Sequence, residues 1–307
     1  MKVSLVGTVL NAADHVSEFL ASVEAQTLRP DEVVIVDGGS TDGTRNLLRR
    51  AGGITLVEEP GANIARGRNV AIAAAAHDVL AVSDVDCVLA PGWLAHLLLP
   101  IEEGADVSMG FTVPITDGLL QDCLAAVSFP LDASEVDPRR FMPNARSVAF
   151  RRDAFEGAGG YPEWLAIGED MWMNHRWREL GLDMRFAPDA VVHWRPRRSL
   201  ADTWLQFFRY ARGDAQAGMY PERHALRFGV YGAAVQAARS RHRLPKLLAA
   251  AGALARVRTP VRRAWARLDA PMERAAATAI VPALMAWTDT AKMAGYLAGL
   301  AERTRRG

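Results

Sequence analysis

Residues 31–44 read DEVVIVDGGSTDGT. Four consecutive apolar residues, all β-branched, run into Asp37, and a glycine-rich turn follows at once. A short β-branched run closed by turn residues is the pattern of a buried strand. Ser40 or Thr41 can cap a helix running to about Arg50. The alternation continues on both sides. KVSLVGTVL (2–10), ITLVEE (54–59), DVLAVSD (78–84) and ADVSMGFTV (105–113) read as strands. Between them, residues 14–26 set Val16, Phe19, Leu20 and Val23 at helical spacing, and ARGRNVAIAAAA (65–76) reads as a helix. PGWLAHLLLPIEE (91–103) is another helix, with proline at its start. Strands alternating with helices predict an α/β fold, a doubly wound and mostly parallel sheet flanked by helices. Ligands of such sheets sit at the carboxyl ends of the strands, where Asn11, Asp37 and Asp84 fall.

From residue 117 the alternation breaks. DGLLQDCLAAVSF (117–129) has a helical pattern, SEVDPRRFMPNARS (134–147) reads as a long loop, and SVAFRRDAF (147–155) as a short strand entering a helix. GEDMWMNHRWREL (168–180) and SLADTWLQFFRYARGDAQAG (199–218) read as helices, and MRFAPDAVVHW (184–194) as a strand or a pair of short ones. Past residue 222 the chain is helical and rich in alanine and arginine, with breaks expected at Pro245, Pro260, Pro271 and Pro282.

The net charge of +1 hides a division. Residues from Arg195 onward hold 21 Lys and Arg against 7 Asp and Glu; the first 194 hold 15 against 28. An acidic body with a basic tail suggests two tasks, the basic part facing anionic lipid, nucleic acid or a phosphorylated substrate. Two cysteines, Cys87 and Cys123, supply neither a disulfide framework nor zinc spacing, which fits a reducing cytoplasm. The start, MKVSLVGTVLN, turns polar too soon for a signal peptide, and no apolar run reaches the roughly 18 residues of a spanning helix.

Individual polar residues carry two readings each. Asp84 and Asp86 follow a buried run, either as solvated turn residues or as hard oxygen ligands for Mg²⁺ or Mn²⁺. Asp37 either opens a turn or accepts a hydrogen bond from a nucleobase or ribose, with the glycines after it admitting a ligand to the backbone. Glu169 and Asp170 either complement a helix dipole or supply a general base. His193 is either an ordinary strand residue or a ligand that completes a carboxylate metal shell. Arg195 and the arginines after it suit pyrophosphate oxygens. Arg66 reads as a solvated residue, and Arg68 as one that can reach a nucleotide. Cys87 reads as a small core residue beside the site.

Taken in order, 33-VVIVDGGSTDGT-44, 66-RGRNVAIAAA-75, 83-SDVDC-87, 144-NARSVAFRRDAF-155, 168-GEDMWM-173 and 190-AVVHWRPR-197 resemble glycosyltransferase family 2, inverting enzymes of the GT-A fold. The resemblance spans roughly residues 2–215. It implies a nucleotide-sugar site of Val9, Asn11, Asp37, Gly39, Arg68, Asp84 and Arg195, with Asp37 on the base. It further implies Mg²⁺ or Mn²⁺ on Asp86, with Asp84 and His193, and Asp170 as catalytic base with Glu169 beside it. On this reading residues 1–220 form the catalytic domain, with a nucleotide-binding half (1–112) and an acceptor half (113–220). Residues 221–307 form a basic helical region. Leu10 stands where many members carry an aromatic residue, and Ala12 where an acidic one is common. The QxxRW motif of processive synthases is not evident, which favours transfer of a single sugar.

The expected partners are a nucleotide-sugar donor and a glycan or lipid-linked acceptor in cell-envelope or polysaccharide assembly, with no nucleic acid; an oligomer is possible. The stretches 244–257 and 278–287 are apolar and flanked by basic residues. They suggest peripheral attachment to anionic lipid on the inner face of the cell membrane; the alternative is soluble packing or a dimer contact. Two rival functions remain: a non-catalytic nucleotide-binding protein serving a membrane or partner, and a nucleotidyltransferase.

Overall fold

A computed structural model describes residues 1–306. Eight strands form one sheet in the order β3-β2-β1-β4-β7-β6-β8-β5. They are β1 (Val3–Val9), β2 (Glu32–Asp37), β3 (Thr55–Glu58), β4 (Val79–Val82), β5 (Cys87–Leu89), β6 (Val107–Pro114), β7 (Val148–Arg151) and β8 (Met184–Trp194). The first half is parallel, as expected: β1 pairs with β2 and β4, and β2 with β3. The second half is mixed. β7 runs antiparallel to β4 and β6, β5 runs antiparallel to β8, and β6 is parallel to β8. The three-residue β5 is too short to show a period in the sequence, and only its distant partner β8 makes it a strand.

Successive strand residues point to opposite faces, and both faces are covered. Val3, Leu5, Val33, Ile35, Val79 and Ala81 pack under α1 (Ala13–Glu24), α2 (Thr44–Arg50) and α4 (Trp93–Glu102). Val6, Val34, Val36, Leu80 and Val82 pack under α3 (Ile64–Ala74), α6 (Arg152–Ala158) and α7 (Glu169–Glu179). The near-continuous apolar runs of the parallel strands follow from this double burial. Pro91 lies just outside α4, whose N-cap is Gly92.

The chain forms two compact units. One is residues 1–115 with 132–195; the other is residues 116–131 with 196–307. These limits differ from the boundary drawn at 220. In the second unit are α5 (Leu119–Ser128), α8 (Leu200–Ala217), α9 (Pro221–Arg239), α10 (Arg243–Arg267) and α11 (Pro271–Arg306). The apolar face of α5, with Cys123 and Leu124, packs with Ala264, Leu268, Ala277, Val281, Leu284 and Met285. An amphipathic pattern states that a helix has a buried face, and not which distant helix covers it. One face of the stretch 278–287, with Val281, Leu284 and Met285, is thus core. Pro260 and Pro282, expected as breaks, lie inside α10 and α11. Proline gives up a backbone hydrogen bond there. Ala277, Val281 and Leu284 bury α11 on both sides of Pro282, and around Pro260 the half-buried Val257 and Val261 pack against the same core as Ala264. Pro245 sits in the first turn of α10, where its missing N–H is no loss. Among the described residues no helix is long and apolar enough to cross a membrane.

One close approach fixes the pairing of β6 and β8. Their register shifts between Met109 and Phe111, at Gly110. A Cβ on Gly110 would lie 1.8 Å from Ser147 Oγ and 2.5 Å from the Ala190 carbonyl. That hydroxyl donates to the same carbonyl at 3.0 Å and accepts from Trp93 Nε1 at 2.8 Å. Gly110→Ala is expected to cost about 1–3 kcal/mol by overpacking, read as a lower urea midpoint. Gly157→Ala, where a Cβ meets nothing within 4 Å, should leave the midpoint unchanged or slightly raised.

Candidate active site

The carboxyl ends of β1, β2 and β4 carry the site. Val9 pairs with Asp37, and its carbonyl accepts from the Gly38 N–H at 2.9 Å. Asp37 is fully buried. Its Oδ1 accepts from the backbone of Gly39 at 2.9 Å and of Ser40 at 2.8 Å. Its Oδ2 has no hydrogen-bond partner among the described residues. A buried acceptor left open is costly, and a ligand N–H or hydroxyl would satisfy it. Gly39 takes a φ of +105°, open to glycine at little cost. Asn11 ties β1 to the same turn: its N–H donates to Ser40 Oγ at 2.8 Å, and its side-chain oxygen accepts from the Thr41 N–H at 2.9 Å.

Arg68, on α3, is buried to 2% exposure. One arm donates to Asp84 Oδ1 at 2.6 Å, and the other pairs with Glu169 on the first turn of α7. Its guanidinium also lies over the Tyr161 ring, 5.6 Å from the centroid. Burial opposes its charge, and Asp84 and Glu169 outweigh burial, so its pKa is raised. Burial also pushes the Glu169 carboxyl up to about 7, with Arg68 pulling the other way and Asp170 adding to the rise. Glu169, 4% exposed, faces the interior. Asp170 is partly exposed; its oxygens accept from the Met171 N–H at 2.8 Å and the Ala145 N–H at 3.3 Å.

Asp84 and Asp86 are held by different groups. Asp84 Oδ2 lies 3.9 Å from Arg146 Nε. The Arg146 guanidinium stacks on Trp194, 4.2 Å from the ring centroid. Trp194 Nε1 in turn donates to Asp86 Oδ2 at 3.0 Å. Among the described residues the other Asp86 oxygen meets only the Cys87 thiol, at 3.8 Å, and burial pushes that thiol well above its ordinary pKa. Asp86 forms no ion pair among the described residues. One free hard oxygen beside a neutral indole fits an ion such as Mg²⁺ or Mn²⁺ that takes most of its ligands from substrate phosphates.

Two sequence candidates are engaged elsewhere. Arg195 makes a two-pronged ion pair with Glu18 of α1, at 2.8 and 2.9 Å. His193 sits between Val88 and Val113 in the sheet, and burial lowers its pKa. It is Trp194, the next residue, that bonds Asp86, and strand alternation turns His193 to the opposite face. No three His, Cys, Asp or Glu side chains gather around a cation position among the described residues, so Asp84, Asp86 and His193 do not form a closed shell. Arg66 is exposed and pairs with Glu59 and Glu163, as a solvated residue should. Arg146, Trp194 and Tyr161 were not singled out in the sequence. Arg146 and Trp194 lie inside the quoted blocks NARS and AVVHW, and their contact becomes visible only when β8 closes on β5.

The family model described as Glycosyl transferase family 2 matches residues 4–157. The chain belongs to glycosyltransferase family 2. Glycosyltransferase AglE of Haloferax volcanii is 28% identical to it over 228 residues, 71% of this chain and 74% of that one. Succinoglycan biosynthesis protein ExoA of Rhizobium meliloti is 25% identical, with 67% of each chain covered. A solved structure, mannosyltransferase PcManGT from Pyrobaculum calidifontis in complex with GDP-Man and Mn²⁺, superposes with a TM-score of 0.56 at 21% identity, over 99% of this chain and 87% of that one. The fold of this glycosyltransferase is accordingly of the GT-A type.

The Arg68 pairs give a direct test. Removing one member of a buried ion network leaves the others charged and unpaired, at about 3–5 kcal/mol. Arg68→Met should lower the unfolding free energy by that amount in guanidinium titrations. Adding Glu169→Gln to Arg68→Met should restore part of the loss. Without Arg68 the buried carboxyl must either stay charged and unpaired or take up a proton at neutral pH, and the amide does neither. Wild-type stability in Arg68→Met would show that the pairs do not hold the site together.

Proposed function

We propose that this glycosyltransferase moves a single sugar from a nucleotide-sugar to a hydroxyl of a glycan or lipid-linked acceptor, with inversion and with Mg²⁺ or Mn²⁺. The observation that supports this most is an unbroken contact chain. It runs from Asp86 through Trp194, Arg146, Asp84 and Arg68 to Glu169, the neighbour of Asp170. A carboxylate suited to the donor diphosphate and one suited to the acceptor are thereby tied into one rigid unit.

The roles follow from the donor and acceptor atoms available. The open Asp37 oxygen accepts from the nucleobase or ribose, and Gly39 lets the nucleotide approach the backbone. Asp86, with Asp84 behind it, would hold the cation, which when bound supplies positive charge against the leaving diphosphate. Asp170 accepts the proton of the acceptor hydroxyl. The hydroxyl oxygen bonds to the anomeric carbon from the side opposite the diphosphate, and the carbon–oxygen bond to the diphosphate breaks. One displacement inverts the centre and releases a nucleoside diphosphate. Arg195 can add to diphosphate binding only by releasing Glu18. The GDP-Man bound in PcManGT supports a nucleotide-sugar donor, and the succinoglycan biosynthesis for which ExoA is named supports a polysaccharide acceptor. We place the work on the cytoplasmic side of the membrane, with peripheral attachment there.

The test is nucleoside diphosphate release from UDP-, GDP- and dTDP-sugars with Mn²⁺, Mg²⁺ or EDTA. Asp86→Ala should abolish metal-dependent turnover and leave the unfolding midpoint unchanged. Undiminished activity in that variant, or in EDTA, removes the metal assignment. Release of pyrophosphate instead would mean nucleotidyl transfer.

Asp170→Asn should slow transfer by about 10²–10⁴-fold, with donor affinity within about twofold. If donor binding collapses while the rate per bound donor survives, Asp170 belongs to the donor site and not to the acceptor.

A further inference from the structure

The two apolar stretches of the C-terminal helices have opposite fates. Residues 278–287 bury Val281, Leu284 and Met285, whereas residues 244–257 bury none of their side chains. Between Gly232 and Arg256 only Ala237 is buried, and only Ser240, Pro245 and Ala249 are half-buried. This half of the α9–α10 hairpin therefore projects with little cover from the described residues. Leu244, Leu247, Leu248 and Leu254 are each 64–68% exposed. Their spacing puts them on one face of α10, together with Ala251. On α9, Leu226, Val230 and Val235 are exposed as well. A soluble helix normally turns such a stripe inward.

The charge around the stripe is one-sided. Residues 221–267 hold 11 Lys and Arg and a single acid, Glu222. Arg239, Arg241, Arg243 and Lys246 surround the hairpin turn and form no ion pair among the described residues. A second copy of the chain would cover the leucines but would set two strongly basic hairpins against each other. A polyanion without an apolar phase would meet the arginines and leave the leucines in water. An anionic bilayer meets both needs. Neither arm is apolar enough to span it, so the hairpin lies on the surface.

We propose that the α9–α10 hairpin is a docking surface for anionic lipid. Leu244, Leu247, Leu248 and Leu254 enter the boundary between headgroups and acyl chains, while Arg239, Arg241, Arg243 and Lys246 meet the lipid phosphates. The purpose of docking rests on the membrane-side acceptor proposed above; the surface itself depends on none of that chemistry.

Flotation of the full chain with phosphatidylcholine vesicles, with and without phosphatidylglycerol, tests it. The wild type should float with the anionic vesicles and much less with the neutral ones. Salt should weaken the binding without removing it, because apolar insertion is not screened. The double variant Leu247→Asp/Leu248→Asp should lower partitioning at least about tenfold, with near-ultraviolet dichroism and unfolding midpoint unchanged, since both side chains are exposed. The triple variant Arg241→Glu/Arg243→Glu/Lys246→Glu should lose the preference for anionic vesicles. Wild-type flotation in the double variant overturns the proposal, as does a wild type that stays unbound at low salt. A wild-type dimer that the double variant dissociates, without flotation of either, gives the face to a second copy instead. Donor turnover with a soluble acceptor should be equal in wild type and double variant. Failure of turnover in the wild type counts against glycosyl transfer, and loss of flotation alone counts against docking.

Discussion

A guanidinium buried between two carboxylates sets the geometry of the catalytic unit. Arg68 joins the loop after β4, through Asp84, to the first turn of α7, through Glu169. Its neighbour Asn69 does the same for a third segment: its amide donates to the Tyr161 carbonyl and accepts from the Tyr161 N–H, each at 2.9 Å. Two consecutive residues of α3 thus pin segments that are far apart in the chain. The desolvation of such charges offsets much of their attraction, so apolar residues of equal volume could match the net stability. What apolar residues could not match is direction. Paired hydrogen bonds fix where each carboxylate points, and the contact chain to Asp86 and Asp170 depends on that.

The same contacts explain why two aspartates stand where β4 surfaces. Asp84 faces Arg68 and Arg146, two cations that diminish its hold on a third positive charge. Asp86 faces the indole N–H of Trp194, which orients the carboxylate without neutralising it. Coulomb attraction for a divalent ion is therefore greater at Asp86. One aspartate serves as an anchor for the protein's own arginines, and its neighbour forms no ion pair among the described residues, as the cation-holding role proposed above requires. A bare Asp-x-Asp in the sequence shows the pair and not this division of labour.

The legible parts of the sequence were those governed by local periodicity. β1 to β4, the helices between them, and the position of Asp37 before its glycine turn follow from apolar runs and turn chemistry over spans of a few residues. Long-range pairing was not legible. The antiparallel entry of β7, the three residues of β5 and the assignment of α5 to the C-terminal unit each depend on a partner distant in sequence. The site divides the same way. Asp37 and the Asp84–Asp86 pair could be read as candidates from strand ends, but the inward turn of Glu169, the capture of Arg195 by Glu18 and the choice of Trp194 over His193 required the tertiary contacts. Strand alternation decides that last choice, and a register cannot be read from one strand alone.

Composition was equally silent on which tail helices pack closely, and glycine contacts distinguish the α8–α11 pair from the α9–α10 hairpin. A Cβ on Gly295 of α11 would fall 2.0 Å from the Phe208 carbonyl oxygen, and one on Gly299 would fall 2.4 Å from the Arg212 carbonyl oxygen. Those glycines let α11 lie against α8 with backbones almost touching, which is what a buried helix–helix contact needs. At Gly229 and Gly232 of α9 and at Gly252 of α10 a Cβ would meet nothing within 4 Å. Glycine inside a helix costs roughly 1 kcal/mol relative to alanine, and here no close packing offsets that cost. The exposed leucines beside these glycines likewise gain nothing from the chain around them. Arg227, Tyr231 and Arg256 tie the base of the hairpin to Asp289, whereas its turn end gains little from its own fold, and an external apolar phase would stabilise it where the protein interior does not.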